Sequence, residues 1–381
     1  MNAVTKRALQ IPSFIVMDVL ERAHALEREG RQIIHLEVGE PDFPTPQCIS
    51  DAALEAIRNE QTHYTHSLGI PELREAIRLH YQDHYEVSVS ADNIIVTSGT
   101  SPALLIIFSA LLEPGDEIII SNPYYACYPN FIKFLNAVPV YVNVYEENGY
   151  QFFANEIKKR LTHRTKAILI NSPSNPTGTL LLPHNMKEIA ELGPYILSDE
   201  IYHGLVYEDV AHSILEYTDK AFVLNGFSKL YAMTGWRLGY LIAPSDFVRP
   251  MQKIQQNFFI SAGSISQWAG VAALKYAGDD VAHMKTVYNE RRLYMIQRLR
   301  KMGFDLPFEP QGAFYVLVNA KHLSPDSYHL AFEILEKAGV GVTPGIDFGQ
   351  NAEGYIRFSY ANSLENIQQG LDRIEEFLKK R

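Results

Sequence analysis

Between residues 93 and 243 the chain carries seven short apolar runs, each separated from the next by helix-like or turn-rich sequence. They are NIIVTS (93–98), DEIIIS (116–121), VPVYVNV (138–144), KAILINS (166–172), YILSDE (195–200), AFVLNGF (221–227) and RLGYLIA (237–243). Several are continuous rather than alternating, as expected of strands that helices cover on both faces. This pattern predicts an α/β fold: a large unit with a mostly parallel, mixed sheet under helices on both faces, plus a smaller α/β unit.

The flanking sequence completes that outline. FIVMDVLERAHALERE (14–29) has helical periodicity and ends at Gly30, a natural C-cap. A strand-like run and a Pro-rich connection (41–46) follow, then helical patterns over 48–59 and 71–83. After about residue 285 comes a long charged helix, KTVYNERRLYMIQRLRKMG. The expected division is an N-terminal arm and part of the smaller unit over 1–45, a large ligand-binding unit over 46–285, and a small C-terminal unit over 286–381.

Composition narrows the partners. The 381 residues are 46% hydrophobic and 20% charged, the balance of a soluble globular protein, and the formal net charge is −10. That charge argues against nucleic acid as a partner. Cys48 and Cys127 form no CxxC and no disulfide framework. The first residues lack a continuous apolar run and a small-residue cleavage site. The most apolar segment, ALLIIFSALL (103–112), is far shorter than the ~20 residues that span a bilayer. A cytoplasmic protein without a membrane partner is expected.

In doubly wound sheets, ligands bind beyond the carboxyl ends of the strands, so the residues following each run carry the chemistry. NIIVTS leads into Gly99, Thr100, Ser101 and Pro102, a strand–turn–helix whose free N–H groups suit phosphate. DEIIIS leads to Tyr124, Tyr125 and Tyr128, aromatic faces that either stack on a planar ligand or pack in the core. KAILINS ends in NSPSNPTG, a strong turn that also places the Asn175 amide at the strand mouth. YILSDE ends in Asp199 and Glu200, carboxylates in an otherwise apolar run that need a partner: a protonated ring nitrogen, a salt bridge or a helix cap. Tyr202 lies within reach of the same ligand. AFVLNGF delivers Ser228, Lys229 and, in NGFSKLYAMTGWRLGY (225–240), Arg237.

A lysine shielded from water has a depressed pKa and a nucleophilic amine, and the fork of arginine donors suits phosphate. Each feature alone also has a bland reading, a snorkelling lysine among them. Together and in this order they meet the requirements of pyridoxal 5′-phosphate: an imine-forming lysine and an anionic partner for the pyridinium nitrogen. Neither GxGxxG nor GxxxxGK[ST] occurs in the sequence.

The motifs VGEPDFPTP, YTHSLGIPELR, VTSGTSPAL, NSPSNPTG, SDEIY, FSKLYAMTGWRLGY and IRFSYA occur in the order found in one family. Over nearly its whole length the chain resembles the class I/II aminotransferases, of pyridoxal-phosphate fold type I. The resemblance implies transfer of an amino group between an amino acid and a 2-oxo acid by a ping-pong route. Lys229 would form the internal aldimine and carry the proton between substrate Cα and cofactor C4′. It also implies that Asp199 keeps the pyridine nitrogen protonated, and that Asn175 and Tyr202 bind the phenolic oxygen. Tyr125 would stack on the ring, though tryptophan or phenylalanine often stands there. Gly99, Thr100, Ser101, Ser228 and Arg237 would hold the phosphate, joined by Tyr64 from the neighbouring subunit of a homodimer. Arg357, with a backbone contact from Gly39, would take the α-carboxylate.

The resemblance leaves the substrate side chain open. The apolar arm LQIPSFIV (9–16) suits a hydrophobic or aromatic group, or simply covers the mouth of the site. A C–S β-lyase reaction on the same scaffold is the alternative, followed by a non-catalytic cofactor-binding regulator. His80 and His84 have the i, i+4 spacing of a metal pair, but HExxH is missing and a solvated helix face is expected; His63 and His66 are read the same way. No metal is expected.

Overall fold

The computed structural model describes residues 4–381. A two-residue strand, β1 (Ile34–His35), comes first. The seven apolar runs then form β2 (Ile94–Thr97), β3 (Glu117–Asn122), β4 (Val138–Asn143), β5 (Thr165–Asn171), β6 (Tyr195–Asp199), β7 (Ala221–Gly226) and β8 (Gly239–Ile242). The C-terminal part adds β9 (Tyr315–Asn319), β10 (Val340–Gly341), β11 (Thr343–Pro344) and β12 (Tyr355–Ser359).

The large sheet has seven strands in the order β2-β8-β7-β6-β5-β3-β4. All neighbours from β4 to β7 pair in parallel, whereas β8 runs antiparallel to both β7 and β2. The fold class is the expected one, and the single reversed strand has a local cause. Between β7 and β8 the chain makes only a 3₁₀ turn, Thr234–Trp236, in place of the crossover helix that parallel pairing requires.

Both faces of the sheet are covered. Ile119, Ile168, Ile196 and Val223 face one core, while Ile118, Ile120, Leu169, Leu197, Phe222 and Leu224 face another. The two-residue period of a strand sorts these otherwise continuous runs into two layers. The run 103–112 belongs to the helix Thr100–Leu111, which buries Ala103, Leu104, Ile106, Ile107 and Phe108. No described helix is long and apolar enough to cross a membrane.

The C-terminal part forms a separate antiparallel sheet, β11-β12-β9, and β1 pairs in parallel with β10. The N-terminal segment therefore packs with the C-terminal one. The helix Ile15–Arg28 adds to this by burying Val19, Ala23 and Leu26 against Leu335. Its first turn has no cap of its own. Asp347 supplies one from across the chain, accepting the N–H of Ile15 at 3.0 Å and of Val16 at 3.2 Å. The helix Gly278–Lys301 runs without a break through residue 285, where the sequence suggested a division. Residues 1–3 of the expected arm lie outside the described residues.

Candidate active site

Because β8 alone is reversed, β2 and β3 to β7 open their carboxyl ends on the same edge of the sheet. The segments leaving those ends, together with the chain after β1 and with β12, surround a cleft of about 320 Å³. Its lining includes Gly39, Thr100, Ser101, Tyr125, Asn175, Asp199, Tyr202, Ser228, Lys229, Arg237 and Arg357. Residues more than 300 positions apart in the chain thus meet in one cavity.

Lys229 follows β7 and points its Nζ at the carbonyl of Gly39, which accepts at 2.5 Å. Burial pulls its pKa down to about 8; the carboxylate of Glu40 opposes this, and the charges of Arg357 and Arg237 reinforce it. The neutral, nucleophilic amine is therefore reached at lower pH than on an exposed lysine.

Asp199 closes β6 and is buried. Burial raises its pKa to about 6, although the Tyr128 hydroxyl donates to Oδ2 at 2.6 Å and the Ile201 N–H to Oδ1 at 3.2 Å. A carboxylate held this way gains most from a further cationic partner. Glu200, the next residue, turns to the opposite side, where Tyr81, Ser198, Ser213 and the Ile214 N–H donate to it. The strand alternation that separates these two carboxylates leaves only Asp199 in the cleft.

At the far end of the cleft, Gly99 takes φ +97° and precedes the helix Thr100–Leu111. A Cβ at Gly99 would lie 2.6 Å from Nη2 of Arg237, so only glycine allows the guanidinium this close to the helix N-terminus. Arg237 donates to the Thr234 carbonyl at 3.1 Å and has no carboxylate partner among the described residues. Ser228 lies alongside, buried. A guanidinium, a hydroxyl and the free N–H groups of a helix start make an anion site.

The opposite end is built around Arg357, buried on β12. Its Nη1 donates to Oδ1 of Asn175 at 2.8 Å, and Nη2 to the Glu37 carbonyl at 2.6 Å and to Thr343 at 3.1 Å. The ring of Tyr315 lies 4.2 Å below the guanidinium. Nε is buried without a partner, the mark of a site that expects an acceptor. A Cβ at Gly39 would collide with the Tyr315 hydroxyl at 1.9 Å, which explains why glycine stands there.

Between the two ends, Tyr125 meets Phe14 edge-on with ring centroids 6.0 Å apart. The hydroxyl of Tyr202 pairs with that of Tyr315 at 2.9 Å. Asn171 donates to the Asp199 carbonyl at 3.0 Å and accepts the Asn175 N–H at 2.8 Å, which fixes the turn between them.

Two expected residues lie outside the lining. Gly99 sits behind Arg237, as described. Tyr64 is 83% exposed and apart from the cleft. Conversely, Asn171 and Tyr315 take part without having been singled out, and Tyr128, expected only as an aromatic face, takes part through its hydroxyl. Its bond to Asp199 spans 71 positions and has no local signature. His80 and His84 stack with centroids 4.1 Å apart on the helix Pro71–Tyr85, and no third ligating group joins them among the described residues. Cys48 and Cys127 are both free thiols.

The site fits pyridoxal phosphate on its own chemistry: an anion cradle at one end, an orphaned guanidinium donor at the other, and a low-pKa amine near a buried carboxylate between them. Comparisons with known proteins bear on the family. The family model described as aminotransferase class I and II matches residues 31–374. A (5-formylfuran-3-yl)methyl phosphate transaminase of Methanocaldococcus jannaschii is 44% identical over 99% of this chain and 100% of its own. An aspartate aminotransferase of Pyrococcus horikoshii is 39% identical over 99% of this chain and 97% of its own. The structure of an aspartate aminotransferase from Thermus thermophilus with maleate superposes with a TM-score of 0.95 at 35% identity, covering 99% of this chain and all of that one.

Proposed function

The chain belongs to the class I and II aminotransferase family and is an aminotransferase; from that premise we propose that pyridoxal 5′-phosphate occupies this cleft and that the residues described above divide its work. The observation that carries the reading is the convergence of Lys229, its pKa lowered to about 8, with Asp199 and Arg357 in one cavity. Bound there, the cofactor supplies an electron sink for the substrate's Cα–H bond.

The chain's own groups do the rest. Lys229 would hold the cofactor through its amine, and the same amine would take and return the proton at the substrate Cα. Asp199 would serve as the anionic partner of a protonated ring nitrogen, whose charge would offset the burial that raises the carboxyl pKa. Thr100, Ser101, Ser228 and Arg237 would hold the phosphate, with Gly99 allowing the close approach. Tyr125 offers a ring face, and Asn175 and Tyr202 offer donors to the phenolic oxygen. Arg357 receives the α-carboxylate, with Nε as the unused donor and Gly39 contributing a backbone contact.

Purified protein should take up pyridoxal phosphate, turn yellow and transaminate. Lys229→Ala should abolish both the covalently held chromophore and turnover. Colourless wild-type protein that takes up none of the cofactor would sink the reading.

The exposed tyrosine at position 64 supports a homodimer in which it reaches the partner's phosphate site. A monomeric holoenzyme in sedimentation would remove that role. The large sheet and the strand-end residues support residues 46–285 as the cofactor-binding unit, with 1–45 and 286–381 forming the smaller one. Limited proteolysis that released a different stable fragment would revise those bounds. Two free thiols support a cytoplasmic setting, which fractionation of the source cells would check.

A further inference from the structure

Where the helix Ile15–Arg28 ends and the chain turns back into β1, His24, Glu27 and His35 bring their ligating atoms within 4.8 Å of one another. The spacing of His24 and Glu27 puts both side chains on one face of the last helical turns. The turn at Gly30, φ +88°, then brings His35 back to that face. No local motif marks the cluster, because it forms only when β1 folds back on the helix. It stands apart from the cleft, and none of its three residues lines that cavity.

The geometry is already close to that around a bound metal ion. Nε2 of His35 lies 3.1 Å from Oε1 of Glu27. Two ligands on a tetrahedral ion, each at about 2.0–2.1 Å, stand roughly 3.3 Å apart. The rings of His24 and His35 have centroids 5.7 Å apart and planes tilted by 54°, so His24 adds a third ligand by rotating an exposed side chain. Nδ1 of His35 is held at 2.6 Å by the buried Glu37 carboxylate. That carboxylate–histidine pair fixes the ring and leaves its other nitrogen to an ion.

A plain ion pair accounts for less of this. Two carboxylates converge on one imidazole, and neither has another cation among the described ion pairs. A protonated His35 therefore leaves one negative charge over, and Oε2 of Glu37 is buried without a hydrogen-bond partner. A divalent ion beside a neutral His35 balances both carboxylates. Nothing in an ion pair calls for His24.

We propose that His24, Glu27 and His35 bind one zinc ion through two imidazoles and a carboxylate, with water in the remaining position. The ion replaces the proton on Nε2 of His35, which leaves to solvent. Without the ion, His35 keeps both ring protons between the two carboxylates. The bound ion clamps the helix whose first turn lines the cleft, at Val16 and Met17, to the strand that leads to Gly39.

The test uses untagged holoenzyme, stripped with a chelator and dialysed against zinc chloride at about pH 8. It should bind one zinc per chain at this site and unfold at a higher temperature than the stripped protein. His24→Gln and Glu27→Ala change exposed side chains outside the cleft, and each should weaken zinc at least ~10-fold. His84→Gln, which breaks the other histidine pair, should leave this affinity unchanged. Magnesium should raise no unfolding temperature, since it favours oxygen ligands. The proposal is overturned by a wild type that binds no zinc, or by wild-type affinity in either His24→Gln or Glu27→Ala. Loss of the ion in His84→Gln, or an equal response to magnesium, overturns it as well.

Discussion

The guanidinium of Arg357 donates through Nη1 to Oδ1 of Asn175 at 2.8 Å, tying β12 to the turn after β5. The group proposed to receive the substrate carboxylate and the group proposed to touch the cofactor therefore share one hydrogen-bonded frame. Arg357→Lys removes the planar fork that makes these contacts, including the unused Nε donor. The expected loss in kcat/KM for amino donors is roughly 100-fold, about 2.7 kcal/mol, carried mainly by KM. Steady-state kinetics at saturating cofactor check it; an unchanged KM would remove Arg357 from the carboxylate site.

Tyr128→Phe tests the control of Asp199. The hydroxyl bond at 2.6 Å is the strongest influence holding the Asp199 pKa down against burial. Without it the carboxylate protonates at higher pH, and its ionised fraction near neutrality falls. A hydrogen bond to a charged group contributes about 1.5–3 kcal/mol, so the acid limb of the pH–rate profile should move up by about 1–2 units. Loss of folding alone would lower the whole profile without displacing that limb.

Gly99→Ala addresses the anion cradle. The added methyl would sit 2.6 Å from Nη2 of Arg237, at a backbone φ of +97° that L side chains rarely adopt. Arg237 must then move off the helix N-terminus. Pyridoxal phosphate affinity should fall at least ~10-fold, the equivalent of one charge-assisted hydrogen bond. Affinity for unphosphorylated pyridoxal should change far less, which titration of the two compounds will distinguish.

His35 links stability to pH. Its Nδ1 bonds the buried carboxylate of Glu37 at 2.6 Å and its Nε2 the exposed carboxylate of Glu27 at 3.1 Å. The Glu37 bond raises the imidazole pKa to about 9 against burial. A folded-state pKa above the unfolded value of about 6.5 gives stability that is complete below that value and lost as pH rises through 9. After discounting for solvent screening of this part-exposed pair, the wild type should lose roughly 1–2 kcal/mol across this window. His35→Gln should flatten that slope and be less stable than wild type at pH 6. Urea denaturation over the pH range measures both.

Much of the site was legible because its residues lie beside strand ends, and strand ends are marked in sequence by where an apolar run stops. Gly99, Asn175, Asp199, Ser228 and Lys229 were found that way. Asn171 and Tyr315 were not, nor was the hydroxyl role of Tyr128, since each matters through a partner far along the chain. Glu200 shows the converse: equal in sequence to Asp199, it faces away because successive strand residues point to opposite faces.

By itself the sequence determined the α/β class, the order of the strands along the chain and the types of group available at each strand mouth. These follow from local periodicity and from the few residues that can end an apolar run. Tertiary structure decided which strand reverses, which carboxylate enters the cleft and which glycine carbonyl receives Lys229. It also decided that Phe14, Val16 and Met17 join the lining of the cleft while Asp347 accepts the first N–H groups of the helix beside them. Those outcomes depend on contacts between segments up to 332 positions apart, and such contacts form only where packing of the whole chain brings burial and charge together.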